Sequence, residues 1–230
     1  MEQEDVAPET EAARVIEVLQ RIMPRHVDGQ QAIIQMRDEG SRNWKQMEWI
    51  GFWFEHLVER SVRPLIGGRV GPTVGRVTFD LQIDRVWDLK VHPEESGSTV
   101  ILNDQEATDA VISDFGGLGF IVVWGNATYD DGDGSFKDWH DALKGGTSAY
   151  EVERIRRDAP SRRRKTAFRP MGAKALWLPD LETVARAQRT GWLSDFQEGM
   201  RNSNGGGRRS KYKVNLEKVP NDVVIAEQIF

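Results

Sequence analysis

Apolar and polar positions divide the chain into alternating helical and extended stretches. Ala12, Val15, Ile16, Leu19, Ile22 and Met23 fall three or four apart, the period of one helical face, and Pro24 ends that pattern. Asp28 is placed to cap a second helix that stops at Gly40. A third helix is predicted from Asn43 to about Arg60, with Met47, Ile50, Phe54, Leu57 and Val58 turned inward, before Pro64 and the loop LIGGRVGPTVG. Residues 77–83 and 85–92 alternate with the period of two that marks strands, and Asp84 marks a tight turn between them. A short strand is expected at 99–102, then a helix capped by Asn103 or Asp104 that ends at Gly116 and Gly117. LGFIVVWG (118–125) is a near-continuous apolar run, which suits a strand buried on both faces.

The remaining third continues the alternation. Two helices are expected to open with capping boxes, Ser135 with Asp138 and Ser148 with Glu151. AKALWLP reads as a strand, Asp180 as the cap of another helix, residues 192–200 as a short helix, and NSNGGGRRSKYK as a flexible basic loop. There is no internal repeat. The order predicts one α/β domain over residues 12–230, with a mixed central β-sheet flanked by helices, a basic loop at 201–213, and an acidic disordered tail at 1–11.

Composition narrows the function classes. Eight tryptophans and nine phenylalanines can fill a sizeable core. No apolar run approaches the ~18 residues of a membrane span. The acidic start, MEQEDVAPETE, has no basic-then-apolar leader pattern. Cysteine is absent, which removes disulfides, thiolate metal sites and cysteine nucleophiles together. A cytoplasmic protein is expected. The net charge of −5 conceals segregation: residues 104–141 hold nine acids against Lys137 alone, 151–170 hold eight bases against three acids, and 201–213 hold five bases and no acid. Local basic patches, not the total, govern nucleic-acid binding.

The chemistry concentrates in VTFDLQIDRVWDLKVH. Strand alternation puts Trp87, Leu89 and Val91 on one face and Asp88, Lys90 and His92 on the other. Phe79, Leu81 and Ile83 are expected to share a face, with Asp80 and Gln82 opposite. If the two strands pair with apolar faces aligned, Asp80, Asp88 and Lys90 gather on the polar face. Carboxylates about 4 Å apart repel by roughly 1 kcal/mol in water, and by more where the dielectric is lower. A divalent cation relieves that repulsion. Few hard oxygen ligands suit Mg²⁺, which completes its shell with water and phosphate. A lysine on the same face can hold or activate an attacking water. The competing reading is an amphipathic hairpin with a solvated Asp88–Lys90 pair.

An acid on one strand followed by acid-x-Lys on the next resembles the PD-(D/E)xK nucleases. Asp80 matches the first acid, Asp88 the second and Lys90 the lysine; Phe79 stands where a proline often precedes the first acid. Many members add a glutamate from the preceding helix, where this chain offers Glu48, Glu55 and Glu59, with Glu55 in GFWFE the closest match. WDLKVH, ILND, LGFIVVWG, SFKDWHDALKGG and SAYEVERIRRDAPSRRRK resemble a block of certain type II restriction enzymes over residues 47–170. The resemblance implies a restriction-endonuclease-like fold and Mg²⁺-dependent cleavage of double-stranded DNA leaving 5′-phosphates. It also implies a homodimer on palindromic sites and a cognate DNA methyltransferase as companion. A repair or structure-specific nuclease of the same fold, or a non-catalytic DNA-binding module, are the alternatives.

Arg162, Arg163, Arg164 and Lys165 in SRRRK suit phosphate contact or guanine recognition, or form a basic surface turn. Arg208, Arg209 and Lys211 belong to a loop that orders on DNA, or to a plain disordered loop. The glycine-rich loop lacks the Gly-Lys-Ser/Thr ending of a P-loop and is expected to be a connector approaching the active site. DDGDG (130–134) lacks calcium-loop spacing and reads as a turn. His92 is a candidate for phosphate contact, and no Ser-His-Asp arrangement is readable.

Overall fold

The computed structural model describes residues 6–130, 132, 134–147, 149–158, 163–201 and 206–230. Helix α1 (Pro8–Ile22) opens with proline in its first turn, where a missing N–H costs nothing. It therefore starts four residues earlier than the apolar period suggests, and residues 8–11 belong to it, not to a tail. Its Glu11 is buried: the carboxylate accepts bonds from Trp87 Nε1 (2.5 Å), Asp84 N (3.2 Å) and Arg85 N (3.2 Å). Burial raises its carboxyl above the ordinary glutamate value, with those three donors opposing the rise.

After the short β1 (Val27–Asp28), α2 (Gly29–Asp38) is capped by Asp28, whose Oδ1 accepts from Gln31 N at 2.9 Å. The next long helix begins later than its polar run suggests, as α3 (Trp49–Leu57). It then widens by one residue per turn over Val58–Val62, where Arg63 N bonds Val58 O, and continues as α4 (Arg63–Ile66). Pro64 explains the widening. It has no N–H for the carbonyl four residues back, so the regular ladder has to break there.

The hairpin β2 (Thr73–Val74) with β3 (Val77–Thr78) precedes β4 (Leu81–Gln82), which pairs antiparallel with β5 (Val86–Pro93) in the register Leu81↔Trp87 and Gln82↔Val86. The expected strand at 77–83 is thus broken in two, with Asp80 in a bend between the pieces. Next come β6 (Thr99–Asp104), α5 (Gln105–Phe115), β7 (Leu118–Tyr129), α6 (Ser135–Leu143), α7 (Ala149–Arg156), β8 (Lys165–Leu178), α8 (Leu181–Thr190), β9 (Leu193–Phe196), β10 (Lys211–Asn215) and β11 (Val224–Ile229). Gly134, not a Ser135 box, is the N-cap of α6. Ser148 lies outside the described residues. Asp104 is the N-cap residue of α5 but makes no side-chain cap bond.

The main sheet is mixed and curled, in the order β1-β8-β7-β5-β4, with β11 also on β8. β5 and β7 are parallel, joined through α5; the other pairs are antiparallel. Each face carries its own core. On one, Trp87, Leu89, Ile121 and Val123 meet α1, α2 and α3 through Ile16, Ile33, Trp49 and Phe54. On the other, Val86, Phe120 and Val122 meet α5, α8 and a second sheet ordered β6-β10-β9, through Val111, Val184 and Val214. That double coverage is why β7 reads as an unbroken apolar run.

Residues 192–200 were expected to be helical; instead Leu193–Phe196 is β9, pairing Leu193↔Val214. Trp192 and Leu193 are buried together, and the partner that makes this stretch a strand lies some 20 residues downstream. Phe79 and Leu81 do not share a face: Phe79 joins the second core and Leu81 the first, because the bend at Asp80 breaks the alternation between them.

Candidate functional site

Three elements carry the polar constellation. β5 is a regular strand, so Asp88 and Lys90 project from the same face. That face otherwise meets the second core, and Asp88 is only 2 % exposed. Lys90 Nζ lies 2.5 Å from Asp88 Oδ2, with 21 % of the lysine side chain exposed. Asn103, on β6, closes the group: its Nδ2 donates to Asp88 Oδ1 at 2.8 Å, and its Oδ1 accepts from Lys90 Nζ at 3.1 Å. Asn103 is the residue that sequence reasoning missed here. Its type allowed a helix cap, and only the packing of the β6 sheet against β5 turns it to the ion pair.

Asp80 comes from the bend before β4. Its Oδ2 accepts from Leu89 N at 2.7 Å, which ties the bend to the middle of β5. Arg63 Nε donates to the Asp80 carbonyl at 3.1 Å, so the widened turn before Pro64 sets a guanidinium against the same bend. Glu55 comes from α3. Glu55, Asp80, Arg63, His56, Glu59 and Thr78 are among the residues around a cleft of about 210 Å³. The glycine-rich segment reaches this cleft through Val70.

The charges of this group lie close enough to shift the ionisation of Asp80, Glu55 and Lys90. Burial, then the charge of Asp88, raises the Asp80 carboxyl well above its ordinary value, against the opposing pull of Lys90 and the Leu89 N–H. The Glu55 side chain is exposed at the edge of the cleft, yet desolvation by the surrounding protein raises its carboxyl. Lys90 opposes this rise and Asp88 adds to it. For Lys90, burial pulls the ammonium down, but Asp88, Asp80 and Glu55 together outweigh it and leave the pKa above the ordinary lysine value. The result is a cluster short of positive charge, in which two carboxyls resist ionisation and one lysine is held as a cation.

No family model, curated protein or solved structure matches this chain.

Glu48 stands apart from this cluster: its carboxylate pairs with Lys165 Nζ at 2.5 Å near the start of α3. Glu59 lines the cleft beside Glu55. His92 shares the Asp88 face, but it is buried and its Nε2 donates to the Gly97 carbonyl at 2.5 Å, so it does not present itself to a phosphate. Burial lowers its pKa, which keeps the ring neutral.

The two basic segments separate. Lys165 begins β8, so it is a strand residue and not part of a surface turn. It pairs with Tyr129, nine residues along β7 from Phe120, the partner of Asp88. That register puts it toward the opposite end of β7 from the ion pair. Arg163 packs over the Tyr129 ring at 4.9 Å, and the Arg164 carbonyl accepts from Asp130 N. Arg162 lies outside the described residues. Arg208, Arg209 and Lys211, in contrast, border a second cavity together with Asn103 and Asp104.

Among the described residues, no three His, Asp or Glu side chains form a ready metal cage. Mg²⁺ does not require one, since it takes one or two carboxylates and completes its shell from water and phosphate. The donor chemistry fits: hard oxygens of like charge, with their carboxyls raised by crowding and burial, are what a divalent cation stabilises. Asp80 and Asp88 would hold it, with Glu55 beside them.

Proposed function

We propose that this chain is a divalent-metal-dependent DNA endonuclease, and more specifically a type II restriction enzyme. The observation that carries the nuclease reading is the convergence of Glu55, Asp80, Asp88 and Lys90 from a helix, a bend and a strand into mutual electrostatic reach beside an open cleft. The solvated-hairpin alternative requires an exposed Asp88–Lys90 pair, whereas Asp88 is buried and its carboxylate is held on both sides. The step to restriction rests on the resemblance of residues 47–170 described above. With it come a restriction-endonuclease-like fold, a homodimer on palindromic DNA and a companion methyltransferase.

The proposed reaction is hydrolysis. Water adds to phosphorus, the bond to the 3′ oxygen breaks, that oxygen takes up a proton, and a 5′-phosphate remains. Mg²⁺, when bound, would polarise the phosphate and lower the pKa of water. Lys90 does its part as an ammonium. It pairs in charge with Asp88 and donates to Asn103, which leaves donor capacity for the attacking water or a phosphate oxygen. Asp88, Asp80 and Glu55 raise its pKa, which favours the ammonium form in the metal-free protein. Asn103 fixes where that ammonium sits. Arg63 holds the bend that presents Asp80.

Plasmid digestion tests this reading directly. Wild-type protein with Mg²⁺ is expected to give discrete fragments, and EDTA none. Lys90→Ala and Asp88→Asn are each expected to lose activity by at least about 10²-fold. Asp88→Asn keeps the side chain's shape and one acceptor oxygen, which can serve Asn103 Nδ2 or Lys90 Nζ but not both, so it perturbs the fold without opening a cavity. A smear in place of fragments would favour a repair or structure-specific nuclease. Absence of cleavage on methylated and unmethylated DNA alike would rule out the nuclease.

A further inference from the structure

We propose that the cavity bordered by Arg76, Arg208, Arg209 and Lys211 is a phosphodiester subsite that holds a backbone phosphate of the same DNA strand, next to the one presented to Asp88 and Lys90. The inference rests on the nuclease reading and deepens it.

The cavity measures about 400 Å³. Four basic side chains border it, brought from segments more than 130 residues apart: Arg76 from the turn between β2 and β3, and the others from the approach to β10 and its first residue. Among the described residues, Arg76, Arg208 and Lys211 have no carboxylate partner, while Arg209 meets Asp104 at 3.4 Å. In a chain with net charge −5, three uncompensated cations around one cavity are a local excess. Cations at this spacing repel one another and gain from a multivalent anion, and phosphodiesters are the anion class that supplies such charge at regular intervals.

Two contacts place the subsite relative to the ion pair. Gly75 adopts φ +61, and a Cβ there would stand 3.3 Å from an Arg209 guanidinium nitrogen, so the turn that carries Arg76 lies against the loop that carries Arg209. Asn103 borders the cavity and also bonds both Asp88 and Lys90. One asparagine side chain therefore separates the basic cavity from the catalytic ammonium. Successive phosphates of one strand advance about 3.4 Å along the duplex axis, so a strand engaged at Lys90 brings a neighbouring phosphate to this cavity. The Arg163–Lys165 segment lies toward the opposite end of β7 and does not border this cavity.

The test is duplex binding by fluorescence anisotropy over a salt series, with the Lys90→Ala protein in Mg²⁺ and wild type in EDTA as two non-cleaving backgrounds. Each phosphate contact contributes about 0.9 to the slope of log K against log salt. Arg76→Ala is expected to weaken binding several-fold and reduce the slope by about one, and Arg208→Ala with Arg209→Ala by about two. The control is Arg21→Ala with Arg25→Ala, an equal charge change at exposed positions in the last turn of α1 and just after it, which leaves both quantities unchanged. If the parent binds duplex and the cavity variants match it in affinity and slope, the subsite is wrong and the nuclease reading stands. If inorganic phosphate displaces duplex far better than chloride at equal ionic strength, the cavity belongs to a free phosphate ligand instead. A parent that neither binds nor cuts duplex overturns the nuclease reading, and the subsite with it.

Discussion

At the scale of single residues, the site depends on groups that differ in how they announce themselves. Asp88 and Lys90 stand two apart on a strand, and no other arrangement of that strand separates them. Asn103 carries no such mark, yet it bridges the two, with one bond to each. Asn103→Ala removes a donor to a buried carboxylate and an acceptor from the ammonium. The expected cost is about 1–3 kcal/mol of stability. Cleavage is expected to drop by about tenfold or more, with the larger part on kcat, because the residue bonds the Lys90 ammonium directly. Thermal unfolding and steady-state cleavage measure the two effects separately. Activity at the wild-type level would show that Lys90 needs no such support.

At the scale of elements, the hairpin that delivers Asp80 is held from outside itself. β4 offers only two paired residues, too few to be stable alone. Glu11 on α1 clasps the turn at Asp84 and Arg85 and anchors Trp87, while β7 supports β5 along seven residues. The Trp87 indole lies across Gly119, where an added Cβ would fall deep inside the ring. Gly119→Ala is therefore expected to push Trp87 out, loosen the Glu11 contact and destabilise the protein by about 1–3 kcal/mol. It would also shift the tryptophan emission. A substitution that leaves Tm and emission unchanged would mean that β5 and β7 can slide apart at no cost.

Across the whole molecule, the acidic cluster couples stability to pH and to metal. The Asp80 carboxyl is raised in the folded state, by burial first and then by Asp88. Both folded and unfolded chains hold its proton below the ordinary aspartate range, so Asp80 makes no pH-dependent difference there. As pH rises toward the folded value, the unfolded chain ionises first, and the folded state loses stability relative to it. Glu55 and Glu11 act with the same sign, whereas the lowered Glu39, Asp141 and Glu151 act with the opposite sign at lower pH. Comparison with Asp80→Asn isolates the one group. In EDTA, the Tm of Asp80→Asn is expected to exceed that of wild type by an amount that grows as pH rises from about 4 toward neutrality. At neutral pH, Mg²⁺ at about 100 times its dissociation constant would stabilise wild type by roughly 2.7 kcal/mol and Asp80→Asn far less. A Tm that ignores Mg²⁺ in both proteins would count against the metal assignment.

Several features were legible in the sequence because their cause is local. Apolar period two put Asp88 and Lys90 on one face, apolar saturation marked β7 as central, and Asp28 and Asp180 capped helices through bonds to residues three positions on. The mixed sheet flanked by helices follows from the order of such elements. What the tertiary structure alone decided depends on partners remote in the chain. The strand at Leu193–Phe196 exists because β10 pairs with it, and Glu11 is buried because Trp87, 76 residues away, needs an acceptor. Asn103 joins the ion pair because two sheets pack face to face. The basic segments divide because strand register carries Lys165 to one end of β7 and leaves Arg208, Arg209 and Lys211 beside Asn103. Periodicity fixes the direction of a side chain relative to its own backbone, but which surface it then meets is set by long-range packing.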